Sequence, residues 1–256
     1  MNQVETEERR PFLEHLEELR QRLIRCLIIV GVAFVVCWYF SKDLFRFLSH
    51  PLIETLPKGS SMIYTSPAEA FVVYMKLAFY CALFFSSPYI LYQAWMFIAP
   101  ALYAHEKRYV LPFMITAIGL FLTGMAFAYF VVFPFGLKFL MSFSTEFIKP
   151  MVKIQDYLTF TLTLLLAFGA VFELPVFVFF LTKMGVINHQ TLTRNRRFAI
   201  LIIFIAAAIL TPPDVLTQLL MAGPLLALYE VSIILAKMAE RKSKTLQSDQ
   251  SEGPTA

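Results

Sequence analysis

Long apolar runs separated by short polar connectors divide most of the chain. A run of about 18 or more apolar residues can cross the hydrocarbon core of a bilayer as one α-helix, and five runs meet that length. They cover residues 23–40, 71–97, 109–134, 155–182 and 216–236. The pattern therefore predicts an all-α membrane protein.

A sixth apolar run, Phe198 to Leu210, is shorter than the others. At about 1.5 Å per residue it covers roughly 20 Å of a hydrocarbon core about 30 Å thick. A basic segment precedes this run and the pair Pro212 and Pro213 follows it, so we expect a short span with local thinning of the bilayer. Six spans would place both termini on one side of the membrane.

Composition indicates a membrane protein, and the distribution of Lys and Arg predicts the orientation of its spans. Of the 256 residues, 58% are hydrophobic and 16% are charged, and mean hydropathy is +0.66, which exceeds what one soluble core could bury. The predicted face that carries the termini holds 15 Lys and Arg residues and the other face holds seven. The positive-inside rule therefore predicts that both termini are cytoplasmic. No basic stretch is interleaved with aromatic residues, so no nucleic-acid partner is expected.

The chain is predicted to form a single transmembrane domain over residues 1–240. Residues 1–22 are expected to form an amphipathic cytoplasmic arm that lies along the membrane surface before turning into the bilayer. Two connectors, 41–70 and 135–154, are expected to be extended segments with ordered turns on the outer face. The polar tail, 241–256, lacks periodicity and is predicted to be disordered.

Two carboxylates are candidates for binding a cation. Glu106 lies in the connector FIAPALYAHEKR, where a basic cytoplasmic loop needs no acid for its topology, and Glu18 lies in HLEELRQRL. Two separated carboxylates suit two arginines, because each can hold one planar guanidinium through two hydrogen bonds. The alternative is local pairing: Glu106 with Lys107, Arg108 or a neighbouring loop, and Glu18 with Arg22 one turn later.

Glu173 lies near the middle of the fourth apolar run, where a charge costs at least a few kcal/mol. Pro175 frees the carbonyl group of Val171 and loosens the same turn. We expect Glu173 to be protonated and to donate either to that carbonyl group or to a polar partner helix. The alternative is a neutral side chain that only satisfies its own kink.

Polar residues also flank the tight turn after the short sixth run. Thr211 precedes the two prolines, and Gln218 lies one turn into the following helix. Asp214 is adjacent to the start of that helix, so capping alone could explain it. Glu230, deeper in the same helix, could contact a partner or pair locally.

No sequence motif indicates catalysis. The chain contains no HExxH, no GxSxG, no Walker A loop and no Cys/His cluster with metal-ligand spacing. We therefore expect neither an enzyme nor a bound metal or cofactor.

Five segments together closely resemble the TatC family, the multi-spanning receptor subunit of the twin-arginine protein translocase. They are HLEELRQRL, FIAPALYAHEKR, GMAFAYFVVFP (124–134), FGAVFELPV (168–176) and LTPPDVLTQ (210–218). The resemblance extends in order over about residues 11–238. It implies a concave, glove-like bundle of six helices with helices 5 and 6 short, in the bacterial cytoplasmic (inner) membrane.

The resemblance also implies roles for particular residues. Twin-arginine signal peptides of folded cargo would bind at the cytoplasmic face, and export would be driven by the proton-motive force. The signal-peptide-binding residues would be Glu18, Glu106, Arg20, Phe97 and Pro51. Glu173, Thr211 and Gln218 would contact the single-span subunits TatB and TatA, and Tyr129 and Asp214 would be further functional positions. Self-association in the complex and contact with membrane lipid are expected; Ala208, a small apolar residue, reduces the polar cluster near Thr211.

Two other hypotheses compete with this one. In a small-solute transporter Glu173 would be the proton-coupling site, which predicts further ionisable residues at membrane depth, and the sequence offers only Glu230. A structural membrane scaffold would leave Glu18 and Glu106 without a role.

Overall fold

The computed structural model describes residues 4–56, 61–98, 110–145, 150–211 and 215–251, and helices account for nearly all of them. No strand forms within these ranges. The elements in chain order are α1 Val4–Tyr39, α2 Ser41–Thr55, α3 Glu69–Ile98, α4 Val110–Phe127, a π-helical segment Ala128–Val132, α5 Phe133–Met141, α6 Ile154–Phe172, α7 Leu174–Lys183, α8 His189–Arg194, α9 Arg196–Leu210 and α10 Val215–Ser251.

Five helical segments are long and apolar enough to cross a membrane, as the hydrophobic pattern predicts. They are His15–Tyr39, Glu69–Phe97, Leu111–Met141, Ile154–Lys183 and Thr217–Glu240. The short sixth run is also helical, because α9 covers 15 residues and ends at Leu210. The described chain is therefore an all-helical, multi-pass membrane protein.

The chain divides into two compact units. The first unit comprises Met1–Ser49 and Tyr64–Ile118, and the second comprises His50–Ile63 and Gly119–Ala256. In the first unit α1 packs along α3, and Trp38 of α1 contacts the ring of Phe71 edge-on at 5.6 Å between centroids.

In the second unit α10 packs against α7 and α9. Phe133 and Phe168 are fully buried in this unit. Gly124 of α4 lies against α6 so closely that a Cβ atom added to it would be 2.7 Å from the carbonyl oxygen of Phe168. Only a residue without a side chain permits this approach of the two helices.

The prediction of a turn between the arm and the first span is wrong. Helix α1 is continuous from Val4 to Tyr39. Residues 12–30, which include the junction between the arm and the span, contain no Gly or Pro and include many Leu, Glu and Arg residues, which favour helix, so nothing at this junction interrupts α1.

The prediction of extended connectors is wrong for the beginning of each one. Residues 41–55 form α2 even though Pro51 lies inside it, because Leu48 and Leu52 present one buried apolar face. Residues 135–141 belong to α5. The rest of the two connectors is joined by a short parallel bridge, in which Ile63 N–H donates to Val152 O and Ile154 N–H donates to Ile63 O, each at 3.0 Å.

The last helix is longer than expected. The sequence predicts a short helix 6 followed by a disordered tail, whereas α10 has 37 residues and ends at Ser251. Residues 237–251 contain neither Gly nor Pro, and most of them, including Lys, Gln, Ala, Arg and Met, favour helix, so the backbone can continue as a helix beyond the apolar segment.

Candidate functional site

A polar cluster joins α1 to α3 in the first unit. The Glu18 oxygen Oε1 accepts hydrogen bonds from Arg22 Nε at 3.0 Å and from Arg22 Nη2 at 2.6 Å. Arg22 Nη1 donates to Gln93 Oε1 at 2.8 Å, and Gln93 Nε2 donates to the Tyr89 hydroxyl oxygen at 2.7 Å. These four side chains, with His15 and Phe97, are called the α1–α3 cluster below.

The aromatic edge of the cluster is a stack between the two helices. The rings of His15 and Phe97 lie 4.2 Å apart with an interplanar angle of 13°. His15 Nδ1 is 3.7 Å from Glu18 Oε2. The structure thus brings together Glu18 and Phe97, which are both predicted site residues. His15, which is not among the predicted site residues, lies between them.

The pair of Glu18 and Arg22 is less exposed to solvent than the neighbouring pair of Glu17 and Arg20. The Glu18 side chain is 35% exposed and its partner Arg22 is 17% exposed. Arg20 instead lies 3.4 Å from Glu17 and is 71% exposed, so it stands outside the cluster. A carboxylate has about four lone-pair sites, so Glu18 can accept a second guanidinium while Arg22 remains bound.

Three other predicted site residues do not belong to the α1–α3 cluster as the structure describes it. Glu106 and Asp214 lie outside the described residues. Pro51 belongs to the second unit, where it is half-buried within α2 and its carbonyl oxygen accepts a hydrogen bond from the Thr55 hydroxyl group.

Glu173 lies at a break between two helices, as Pro175 predicts. Helix α6 ends at Phe172 and α7 begins at Leu174. The Glu173 N–H donates to Ala170 O at 3.2 Å, a bond across three residues that makes a tighter turn than the four-residue bond of an α-helix. Its carboxyl oxygen Oε1 is buried and has no hydrogen-bond partner in the part of the chain that the structure covers. This oxygen therefore lacks the internal partner that a buried polar group normally has within the described residues.

Thr211 and Gln218 each donate a hydrogen bond to a carbonyl group in the last turns of α9. The Thr211 hydroxyl group donates to Ala207 O at 2.8 Å, and Gln218 Nε2 donates to Phe204 O at 3.0 Å. Gln218 therefore links the start of α10 to the last turns of α9.

Tyr129 lies in the π-helical segment between α4 and α5. Its side chain is buried, and its ring contacts Phe130 edge-on at 4.9 Å. Such segments often occur at functional positions, but apolar spacing alone does not reveal them.

Two side-chain pairs link α10 to α8 and α9. Arg196 Nη2 is 2.6 Å from Glu230 Oε2, and His189 Nδ1 is 2.6 Å from Glu240 Oε2. Glu230 thus pairs locally, which is one of the two alternatives left open by the sequence.

Among the residues that the structure describes, no group of three or more His, Cys, Asp or Glu side chains could hold a metal ion. Cys26, Cys37 and Cys81 are all free thiols.

The tertiary partners in the α1–α3 cluster are not evident from the sequence. Gln93 and Tyr89 lie inside a long apolar run, and a polar Gln in such a run was the available signal. His15 was visible only as part of a solvated helical arm.

These features define a multi-pass, all-helical membrane protein with polar groups at a helix pair and at a broken span. The chain matches the family model described as Sec-independent protein translocase protein (TatC) over residues 14–224. It belongs to the TatC family, a family of protein translocase components rather than of enzymes.

Relatives and solved structures agree with this assignment. The chain is 45% identical over 246 residues to the Sec-independent protein translocase protein TatC of Desulforapulum autotrophicum, which covers 96% of this chain and 91% of the relative. It is 42% identical to the TatC protein of Escherichia coli K12, over 94% of this chain and 93% of the relative. A crystal structure described as the twin arginine translocase receptor TatC superposes with a TM-score of 0.81 at 42% identity, covering 88% of this chain and 99% of that one.

Proposed function

We propose that this chain is the receptor and core subunit of a twin-arginine translocase, in which Glu18 and Glu106 bind the paired arginines of a signal peptide. The observation that carries the proposal is the state of Glu18. Its carboxylate holds the guanidinium group of Arg22 through two hydrogen bonds and remains about one-third exposed. The site thus has the chemistry that a second, incoming guanidinium group requires.

The α1–α3 cluster would position that carboxylate. Arg22 is held by Gln93 as well as by Glu18, so it can retain one hydrogen bond while Glu18 turns towards the signal peptide. Phe97, fixed by its stack on His15, would border the same site. Arg20 and Pro51 complete the proposed signal-peptide-binding residues.

The proposed topology has six spans in a concave, glove-like bundle with both termini in the cytoplasm and α9 as the short span. The excess of Lys and Arg on the face that carries the termini supports this orientation. The membrane would be the bacterial inner membrane, and the cargo would be folded proteins exported by the proton-motive force.

The single-span subunits TatB and TatA would contact Glu173, Thr211 and Gln218, with Tyr129 and Asp214 as further functional positions. A buried carboxyl oxygen without a partner is costly in a membrane, and a polar group of a partner helix would satisfy it. Further copies of this chain and membrane lipid would complete the complex. No nucleic-acid partner is proposed.

A photoreactive twin-arginine signal peptide, crosslinked to the chain in membranes, tests the receptor role. Glu18→Gln and Glu106→Gln should each reduce the crosslink by about tenfold or more, since each removes one charged acceptor. Glu17→Gln is the matched control, because Glu17 belongs to the same helix but pairs with the exposed Arg20. Crosslinking that persists in both test variants at normal protein level would refute the assignment of the arginines to these residues.

A further inference from the structure

A cavity with a basic edge and an apolar wall lies among α8, α9 and α10. Its volume is about 630 Å³. The lining residues are His189, Gln190, Thr193, Arg194, Arg196, Glu230, Ile233, Ile234 and Lys237. None of the proposed signal-peptide or partner contacts lies among them.

The charges around this cavity are not balanced. Glu230 is paired with Arg196, and the adjacent Glu240 is paired with His189, so both carboxylates already hold a cationic or hydrogen-bonding partner. Arg194 and Lys237 are exposed, and no carboxylate among the described side chains pairs with either of them. Two cations are therefore available at the edge of the cavity.

The wall beside these cations is apolar. Ile233 is buried and Ile234 is exposed, one turn before Lys237 on the same helix. A ligand that fits must bring an anionic group to Arg194 and Lys237 and a hydrocarbon group to the two isoleucines.

The position of the cavity along the spans indicates the source of such a ligand. Lys237 lies one turn before Glu240, where the apolar segment of α10 ends, and Arg196 is the first residue of α9. This is the depth at which lipid headgroups meet the hydrocarbon core, and basic pockets between helices at that depth suit anionic phospholipid.

We propose that the cavity binds one anionic phospholipid, with its phosphate group at Arg194 and Lys237 and an acyl chain along Ile233 and Ile234. A bound lipid would tie α8 to α10 and would hold the start of α9 at the membrane surface. This proposal rests on the proposed topology in one respect: with both termini in the cytoplasm, the bound lipid belongs to the cytoplasmic leaflet.

Native mass spectrometry of the full chain in detergent tests the proposal, with palmitoyl-oleoyl phosphatidylglycerol as the probe and phosphatidylcholine as the neutral reference. The unmodified chain should bind phosphatidylglycerol more tightly than phosphatidylcholine. The double variant Arg194→Gln/Lys237→Gln should lower the apparent affinity for phosphatidylglycerol by about tenfold or more.

The matched control is Lys138→Gln/Arg197→Gln, which removes the same charge from exposed residues that do not line the cavity. It should leave phosphatidylglycerol binding unchanged. Equal binding by both double variants, or no preference over phosphatidylcholine, would overturn the proposal.

A second arm separates a lipid from a free anion. Ile234→Asn should weaken phosphatidylglycerol binding, and excess inorganic phosphate should not displace the lipid from the unmodified chain. Full displacement by inorganic phosphate, with no effect of Ile234→Asn, would assign the cavity to a free phosphate and overturn the lipid site. Crosslinking of the signal peptide should be normal in Arg194→Gln/Lys237→Gln, so failure of the lipid site and failure of the receptor role are distinguishable.

Discussion

Gly124 lies against the main chain at Phe168, and a Cβ atom at Gly124 would be only 2.7 Å from the Phe168 carbonyl oxygen. The same atom would be 2.8 Å from Cβ of Phe172. Neither neighbour can move independently of α6, since one is backbone and the other is attached directly to it. The glycine therefore determines how closely α4 and α6 approach each other.

Replacing this glycine should destabilise the protein. Gly124→Ala should lower the free energy of unfolding by about 1–3 kcal/mol, because the added methyl group overpacks the helix contact. Thermal unfolding in detergent measures the change.

Gly119→Ala is the control for that variant, since Gly119 lies in the same helix and a Cβ atom there meets nothing within 4 Å. It should be neutral or stabilising by up to about 1 kcal/mol, because alanine favours helix. Equal destabilisation by both variants would show that the contact with α6 is not the cause.

The hydrogen bond between Arg22 and Gln93 should be measurable as a coupling free energy. A double-mutant cycle with Arg22→Gln and Gln93→Leu should give about 1 kcal/mol or more, because this bond has a charged donor and is partly buried. Chemical or thermal unfolding of the four proteins in detergent provides the numbers.

The pair Arg20 and Glu17 is the reference cycle, since both side chains are more than half exposed. Its coupling should be under about 1 kcal/mol and should fall with added salt. A coupling at Arg22 and Gln93 no larger than this reference would mean that the cluster does not position Glu18.

Removing the carboxyl group of Glu173 should separate stability from function. Glu173→Leu should raise the thermal stability of the isolated chain, because it replaces a buried, unsatisfied polar atom with an apolar group of similar volume. Export of a twin-arginine reporter in cells should be lost if this carboxyl group contacts a partner helix.

Glu173→Gln provides the comparison, because it keeps a donor and an acceptor and should retain more export than Glu173→Leu. A lower melting temperature for Glu173→Leu would contradict the conclusion that the carboxyl group is unsatisfied within the chain.

The two ion pairs beside the basic cavity should differ in strength. His189 and Glu240 are 30% and 21% exposed, whereas Arg196 and Glu230 are 47% and 48% exposed. Double-mutant cycles with His189→Gln/Glu240→Gln and Arg196→Gln/Glu230→Gln should give the larger coupling for His189 and Glu240, since solvent screens that pair less. The reverse order would show that burial does not control these contacts.

Much of the fold follows from local sequence. Five spans, the helical sixth run and the break at Glu173 depend on apolar length and on Pro175, which act within a few residues. The pair between Glu18 and Arg22 depends on a spacing of four residues, so helical periodicity alone predicts it.

The features that the sequence did not reveal depend on contacts between distant segments. Gln93 meets Arg22 across 71 positions of sequence, and the stack of His15 on Phe97 also needs α1 and α3 to pack in one register. Helix α2 was missed because Pro51 disfavours helix locally, whereas burial of Leu52 stabilises it.

The uninterrupted α1 places the proposed receptor surface and the far end of the first span on one continuous helix. About 21 residues separate Glu18 from Tyr39, a distance of roughly 31 Å at the helical rise of about 1.5 Å per residue. If a signal peptide binds at Glu18 as proposed, a tilt imposed there would become a sideways displacement at Tyr39, because one continuous helix joins the two residues. Under the proposed receptor role and topology, peptide occupancy on one side of the membrane would therefore displace the end of this helix on the other side.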